Sequence, residues 1–364
     1  MEQSKVKNIH DFEQSIWLDF IDRKLIKSGA LKNLIDADGV RGVTSNPAIF
    51  EKAISSSSDY DEDIQSLLKE GKNNEAIFYG MAIKDIQQAA DILLPVFEEK
   101  VSAADGFVSL EVSPHLARDT QGTIEQANDL WSKVDRKNVM IKIPGTAQGL
   151  TAIETCISNG ININVTLLFG LKQYRAVTEA YITGLEKRLA NGHTIDQVAS
   201  VASFFISRVD IMVDSILAEK GSSELQGQVA IALAKAAYQI YKEVFSSDRF
   251  NVLKSKGASP QRLLWASTSN KNPAFKDTRY VEALIGPKTV NTIPLDTLEA
   301  FRDHGVVANT LESNLDKANS ILEQIRSAGI NMEEISSKLE EEGIQKFKVP
   351  YDKMLQAIES AKNN

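Results

Sequence analysis

The chemical anomaly of this sequence is a lysine in the middle of an apolar run: Lys142 lies in VMIKIPG, with Val139, Met140 and Ile141 before it and Ile143 after it. An amine buried in such a run loses hydration, which disfavours its protonated form and exposes a neutral nucleophile able to attack a carbonyl. Pro144 and Gly145 follow at once, and proline ends ladder pairing, so the lysine stands near the C-terminal end of its strand. The alternatives are a lysine that snorkels from an edge strand, or one paired with a buried carboxylate for stability alone.

Other strand-like runs carry polar residues at their ends. Asp19 in IWLDF and Glu111 in GFVSLEV are carboxylates in the equivalent place on two strands. Period-two alternation puts Glu111 with Ser109 and Ser113 on one face and Val108, Leu110 and Val112 on the other, a pattern that a half-exposed strand would also show. Asn164 and Thr166 in NINVTLLF share a face and can present an amide beside a hydroxyl. Asn46 in TSNPA precedes a proline, where an Asx turn is an equal reading. Arg208, just beyond VASFFIS and its Ser203, has the planar fork of a phosphate clamp; a surface ion pair with Asp210 or Asp214 is the plainer reading. Ser267 and Lys271 in WASTSNKNP add a second hydroxyl and cation after the next strand, where barrels often hold a phosphate.

These residues need a scaffold that brings strand ends together. Strands are expected at 16 to 20, 42 to 46, 106 to 112, 139 to 144, 162 to 169, 201 to 207, 262 to 268 and 289 to 294, separated by amphipathic stretches such as 77 to 100. Eight β-rich runs alternating with helices predict an α/β fold, an eight-stranded parallel (β/α)8 TIM barrel with additional C-terminal helices. No linker divides the sequence, so residues 1–364 read as a single barrel domain. Its part 311–364 is expected to be an extension of three amphipathic helices whose acidic 339 to 342 segment faces solvent. A doubly wound open sheet is the other candidate, weakened because no G-x-G-x-x-G follows the first strand.

Composition narrows the function. With 364 residues, a net charge of -8 and a pI near 5.3, the chain is unsuited to a broad nucleic-acid or anionic-membrane footprint, so an anionic ligand must meet a local cationic cluster. The single cysteine, Cys156, excludes an internal disulfide framework, and the four histidines are too scattered for a metal site. The polar N-terminus lacks the apolar core of a signal peptide, and a cytoplasmic protein is expected, as a monomer or a homodimer.

Taken together, IWLDF, GVTSNPAIF, VSLEVSP, VMIKIPGT, INVTLLF, ASFFISRVD and WASTSNKNP resemble, in order and spacing, the transaldolase family of lysine-dependent aldolases, from about Ile16 to Met354. The length and the KVPYDKM segment resemble its longer bacterial branch. The resemblance implies Lys142 as the Schiff-base lysine, Asp19 as general acid and base, and Glu111 with Thr166 as the pair that handles a catalytic water. It also implies Asn46 and Asn164 on the three-carbon unit, and Ser203, Arg208 and Ser267 on the substrate, with Arg208 at its phosphate. One departure stands out: many members carry an arginine shortly after the serine that matches Ser267, where this chain has Ser269, Asn270 and Lys271.

The function so implied is transfer of a dihydroxyacetone unit from fructose 6-phosphate or sedoheptulose 7-phosphate to erythrose 4-phosphate or glyceraldehyde 3-phosphate, in the non-oxidative pentose phosphate pathway, with no cofactor. Three rivals remain: an aldolase that releases free dihydroxyacetone, a pyridoxal-phosphate barrel, and a noncatalytic sugar-phosphate binder.

Overall fold

The computed structural model describes residues 4–99 and 105–361. Eight parallel strands form a closed barrel in chain order, β1 Gln14–Leu18, β2 Gly42–Val43, β3 Phe107–Glu111, β4 Val139–Pro144, β5 Ile163–Leu168, β6 Ser200–Phe205, β7 Arg262–Ala266 and β8 Thr289–Ile293, and β8 pairs back onto β1. Each falls on one of the eight expected runs. Every strand residue is buried, because parallel strands are covered by helices outside and by their own side chains inside. At β1, β2, β6 and β7 the ladder stops two or three residues before the expected run does. Asp19, Thr44, Asn46, Arg208 and Ser267 therefore sit just above the strands rather than within them.

β5 departs from regular pairing. Its register against β6 shifts between Val165 and Leu168, and Leu167 takes a left-handed φ of 61°. Such a bulge re-aims neighbouring side chains and is common beside functional sites. Here Leu167 meets the helix Met332–Ala361 at Gly343, where a Cβ would stand 2.9 Å from the Leu167 side chain. A side chain at 343 would have to displace the tip of Leu167, whereas glycine lets the helix approach without that shift.

The C-terminal region holds two helices after residue 311, Leu315–Ser327 and Met332–Ala361, rather than the three expected. Pro350 lies inside the second of them, although proline removes a helical hydrogen bond. Packing overrides it: Phe347, Tyr351 and Met354 are buried, the Tyr351 hydroxyl donates to Glu75 Oε1 at 2.6 Å, and His115 Nε2 lies 2.7 Å from Asp352 Oδ1. Nor is the acidic segment plain solvated surface, because Glu340 accepts a 2.8 Å bond from Gln173, which also donates to the Gly145 carbonyl at 3.0 Å. No helix of the described residues is long and apolar enough to cross a membrane.

The N-terminal end of the barrel is closed by a buried charge network. Asp105 accepts from Ser15 Oγ (2.7 Å), Arg41 Nε (3.0 Å), Trp17 Nε1 (3.1 Å) and Arg262 Nη1 (3.1 Å), and Arg262 Nη2 also donates to Ser15 Oγ and the Thr289 carbonyl, each at 2.7 Å. Burial alone would push the Asp105 carboxyl up, but Arg262, Ser15, Arg41 and Trp17 favour the ionised form and hold it below the ordinary carboxylate value. Removing one partner of such a network leaves the other charge buried without compensation. Asp105→Ala is therefore expected to lose about 3 kcal/mol of unfolding free energy, read as a lower urea midpoint. A depressed folded pKa contributes stability that is present above pH ~4 and lost on acidification, so the variant should also lose less stability than the parent as pH falls through that range.

Candidate active site

Closure of the barrel places β3, β4 and β5 side by side, with Glu111 opposite Lys142 and Lys142 opposite Asn164 in the ladder. Inward-facing residues of neighbouring strands therefore lie at one level. Lys142 is 5% exposed, and its Nζ stands 3.4 Å from Glu111 Oε2, an ion-pair separation without hydrogen-bond alignment. The same Nζ donates to the Ser45 carbonyl at 3.1 Å, and the Phe347 ring lies 5.5 Å from it. The carboxylate-paired alternative for Lys142 is thus present in the structure, but the pair opens onto a cavity instead of closing a core.

That cavity, of about 410 Å³, occupies the C-terminal mouth of the barrel. Asp19, Asn46, Lys142, Thr166, Ser203, Arg208, Ser267 and Lys271 all line it, so eight of the ten residues singled out in the sequence meet in one space. Glu111 and Asn164 are not part of its lining, though each pairs with Lys142 in the ladder. Asn164 donates to Ser109 Oγ at 3.0 Å and accepts from Ser203 Oγ at 2.7 Å, a chain of neutral hydrogen bonds that links β3, β5 and β6 beside the lysine.

Each carboxylate is tuned by its surroundings. Burial pushes Glu111 up to about 7, an effect that Lys142 opposes and Asp19 reinforces. Neither Glu111 oxygen nor the Thr166 hydroxyl has a hydrogen-bond partner among the described residues, and buried groups of this kind are suited to holding a water or a ligand hydroxyl. Asp19 is also pushed above its ordinary value by burial, against the influence of Lys142, Thr44 and Arg208. Thr44 Oγ1 donates to Asp19 Oδ1 at 2.8 Å and lies 2.7 Å from Thr292 Oγ1. A hydroxyl has one proton, so Thr292 must donate to Thr44, and a two-hydroxyl relay from β8 fixes the Asp19 carboxyl.

Asn46 serves local structure and the cavity at once. Its Oδ1 caps the helix Pro47–Ser55 by accepting from Ile49 N at 3.1 Å, which leaves its amide nitrogen as the end that can meet a ligand. Arg208 belongs to the first turn of the helix Ser207–Glu219, not to the end of β6 as the sequence suggested. It pairs with neither Asp210 nor Asp214: Asp210 is taken by Ala230 N and the Tyr280 hydroxyl, and Asp214 by Gly227 N. Its Nη1 is buried without a hydrogen-bond partner among the described residues, and burial holds the guanidinium below its usual value. Ser267 adopts a left-handed φ of 55° and its hydroxyl lies 2.9 Å from that of Ser207, which brings the β7 loop against the start of this helix.

Several cavity residues carried no usable signal in the sequence. Lys52 and Lys346 join Lys142, Arg208 and Lys271 to give five basic side chains around one space. Phe347 shields Lys142, and Thr44 and Thr292 build the relay on Asp19. Lys346 and Phe347 come from the C-terminal helix, where amphipathic spacing reveals a buried face but not what it covers.

An amine beside a carboxyl that titrates near neutrality, below a cation-rich cavity, is equipped to form and hydrolyse an imine on an anionic carbonyl compound. Among the described residues no group of three or more His, Cys, Asp or Glu side chains could hold a metal ion. Residues 16–358 match the family described as Transaldolase/Fructose-6-phosphate aldolase. The chain is 45% identical to the transaldolase of Trichodesmium erythraeum, covering 99% of this chain and 98% of that one. It is 47% identical to transaldolase 2 of Nostoc sp., covering 96% of each, and 45% identical to the transaldolase of Thiobacillus denitrificans, covering 97% and 99%.

The Glu111 carboxyl should give an infrared band that titrates with a midpoint near 7, and Lys142→Met, which removes the opposing cation, should move that midpoint up. Because the folded pKa is raised, the folded chain holds this proton more tightly than the unfolded chain. Stability should fall as pH rises from about 4.3 through 7, and Glu111→Gln should remove that part of the dependence.

Proposed function

Since the chain belongs to the transaldolase/fructose-6-phosphate aldolase family, we propose that it is a transaldolase, a transferase that carries a dihydroxyacetone unit on Lys142 between sugar phosphates. The observation that supports this most directly is the buried Lys142 amine, 3.4 Å from Glu111 and opening on a cavity that Asp19 also lines.

In this reading Lys142 passes its proton to Glu111, 3.4 Å away, and the freed amine adds to the C2 carbonyl of fructose 6-phosphate to give a carbinolamine. Glu111, protonated near neutral pH and working with Thr166 through a water, gives its proton to the departing hydroxyl, which leaves as water. The iminium nitrogen is then an electron sink. Asp19 takes the proton of the C4 hydroxyl, the C3–C4 bond breaks, its electron pair forms the enamine, and glyceraldehyde 3-phosphate departs. The enamine carbon next attacks the aldehyde carbon of erythrose 4-phosphate, Asp19 returns its proton to the new hydroxyl, and hydrolysis of the iminium frees sedoheptulose 7-phosphate and the lysine. Thr44 and Thr292 keep Asp19 in position for both transfers.

Asn46 and Asn164 hold the three-carbon unit in this reading, Asn164 from its place one strand away from the lysine. Arg208, Ser203 and Ser267 take the substrate, with the Arg208 fork on the phosphate. Lys271 replaces the family's arginine as a point charge, and Lys52 and Lys346 add to it. Glu111 and Phe205 favour transfer over simple aldol cleavage, since aldolase-only relatives tend to carry glutamine and tyrosine at the matching positions. A cytoplasmic location follows from these substrates.

Borohydride added with fructose 6-phosphate should leave a three-carbon adduct on Lys142, detected by peptide mass, and an unmodified lysine under turnover conditions would end this reading. Lys142→Met should lower kcat by more than about 10³-fold. Turnover should require an acceptor aldose and show ping-pong kinetics. Arg208→Lys, which keeps the charge but loses the fork, should raise KM for the phosphorylated donor about tenfold with a smaller effect on kcat.

A further inference from the structure

A second cavity, of about 710 Å³, opens at the opposite, N-terminal end of the barrel and shares no lining residue with the first. Four of its lining residues are cations, Lys242, Lys254, Arg262 and Lys288, and none is Asp or Glu, in a chain whose net charge is -8. Tyr241 and Phe245 supply aromatic wall. Their helix, Val229–Phe245, stacks Tyr238 on Tyr241 with centroids 5.6 Å apart, which braces that wall from behind.

The cations differ in their commitments. Arg262 is held by Asp105, Ser15 and the Thr289 carbonyl, and Asp105 matches its charge. Lys242 and Lys288 reach outward to Glu312 and Glu13 at the rim. Lys254 makes no ion pair among the described residues. Lys288 sits in a left-handed backbone, φ 59°, which a glycine would adopt freely, yet the position carries a cation at the cavity edge. The Tyr241 phenol is pushed up to about 12 by burial, against Arg262, so it remains a donor at neutral pH. Aromatic side chains, a phenol donor and cations in the lining, with Lys254 outside any ion pair and the surface pairs of Lys242 and Lys288 weak, suit an anion with a flat apolar body, and the volume suits one small molecule.

We propose that this cavity binds an aromatic phosphate monoester, its ring against Tyr241 and Phe245 and its phosphate between Lys254 and Lys288. Nucleoside and simple aryl monoesters share that chemistry.

Calorimetric titration with adenosine 5′-monophosphate, phenyl phosphate and inorganic phosphate tests the idea, together with hydrogen exchange to locate the binding. At least one aromatic ester should bind with one-to-one stoichiometry and about tenfold more tightly than inorganic phosphate, and should slow exchange in Val229–Phe245 and β7. The member that binds identifies the nucleoside or the simple aryl source. Lys254→Glu combined with Lys288→Glu should weaken it by about tenfold or more while thermal midpoint and transfer activity stay unchanged. The proposal is overturned if no aromatic ester outcompetes inorganic phosphate, if the double variant binds equally well, or if protection falls on the loops over the upper cavity. Should the double variant fail to fold, the exchange map of the parent chain decides alone.

Discussion

The structure turns on one buried ion pair, Lys142 with Glu111. Taking both charges out of water costs several kcal/mol each, and such pairs are often no more stabilising than well-packed apolar residues. Stability is therefore a poor reason for the pair to exist. What sustains it is barrel closure, which brings Glu111, Lys142 and Asn164 to one level without consuming any local flexibility. Below that level lies the charged network around Asp105 and Arg262, and at the level itself Asn164 carries neutral hydrogen bonds to Ser109 and Ser203 beside the lysine.

Electrostatics at the mouth run against the molecule as a whole. A chain of net charge -8 concentrates Lys52, Arg208, Lys271 and Lys346 around one cavity. Positive potential focused in a concave site raises the local concentration of anionic ligands, while the acidic remainder of the surface discourages polyanions. Charge placement alone thus favours small anions over polyanions at this mouth.

Much of this was legible in the sequence. Parallel barrel strands are buried on both faces, so they read as short apolar runs, and a lysine or carboxylate inside such a run stands out; that is why Lys142, Asp19 and Glu111 could be named from residue types. Strand ends were less visible, because the residues that turn out of the ladder, such as Thr44 and Arg208, are as compatible with a strand as with a loop or a helix start. Contributions from distant segments were not visible at all. The last helix runs through Pro350 with Phe347 and Tyr351 packed beside it, and nothing in KFKVP says that Lys346 and Phe347 line a cavity around a lysine far earlier in the chain. Paired hydroxyls such as Thr44 and Thr292 are equally silent, since a buried threonine in a strand is ordinary until its partner is known.

The helix Met332–Ala361 also orders events in time. All eight strands leave the ribosome before it does, so a nascent chain can close its barrel while the amine of Lys142 still lacks the Phe347 shield and the cavity still lacks Lys346. A barrel closed before that helix docks therefore has an incomplete cavity wall, which is finished only once Gly343 seats against Leu167.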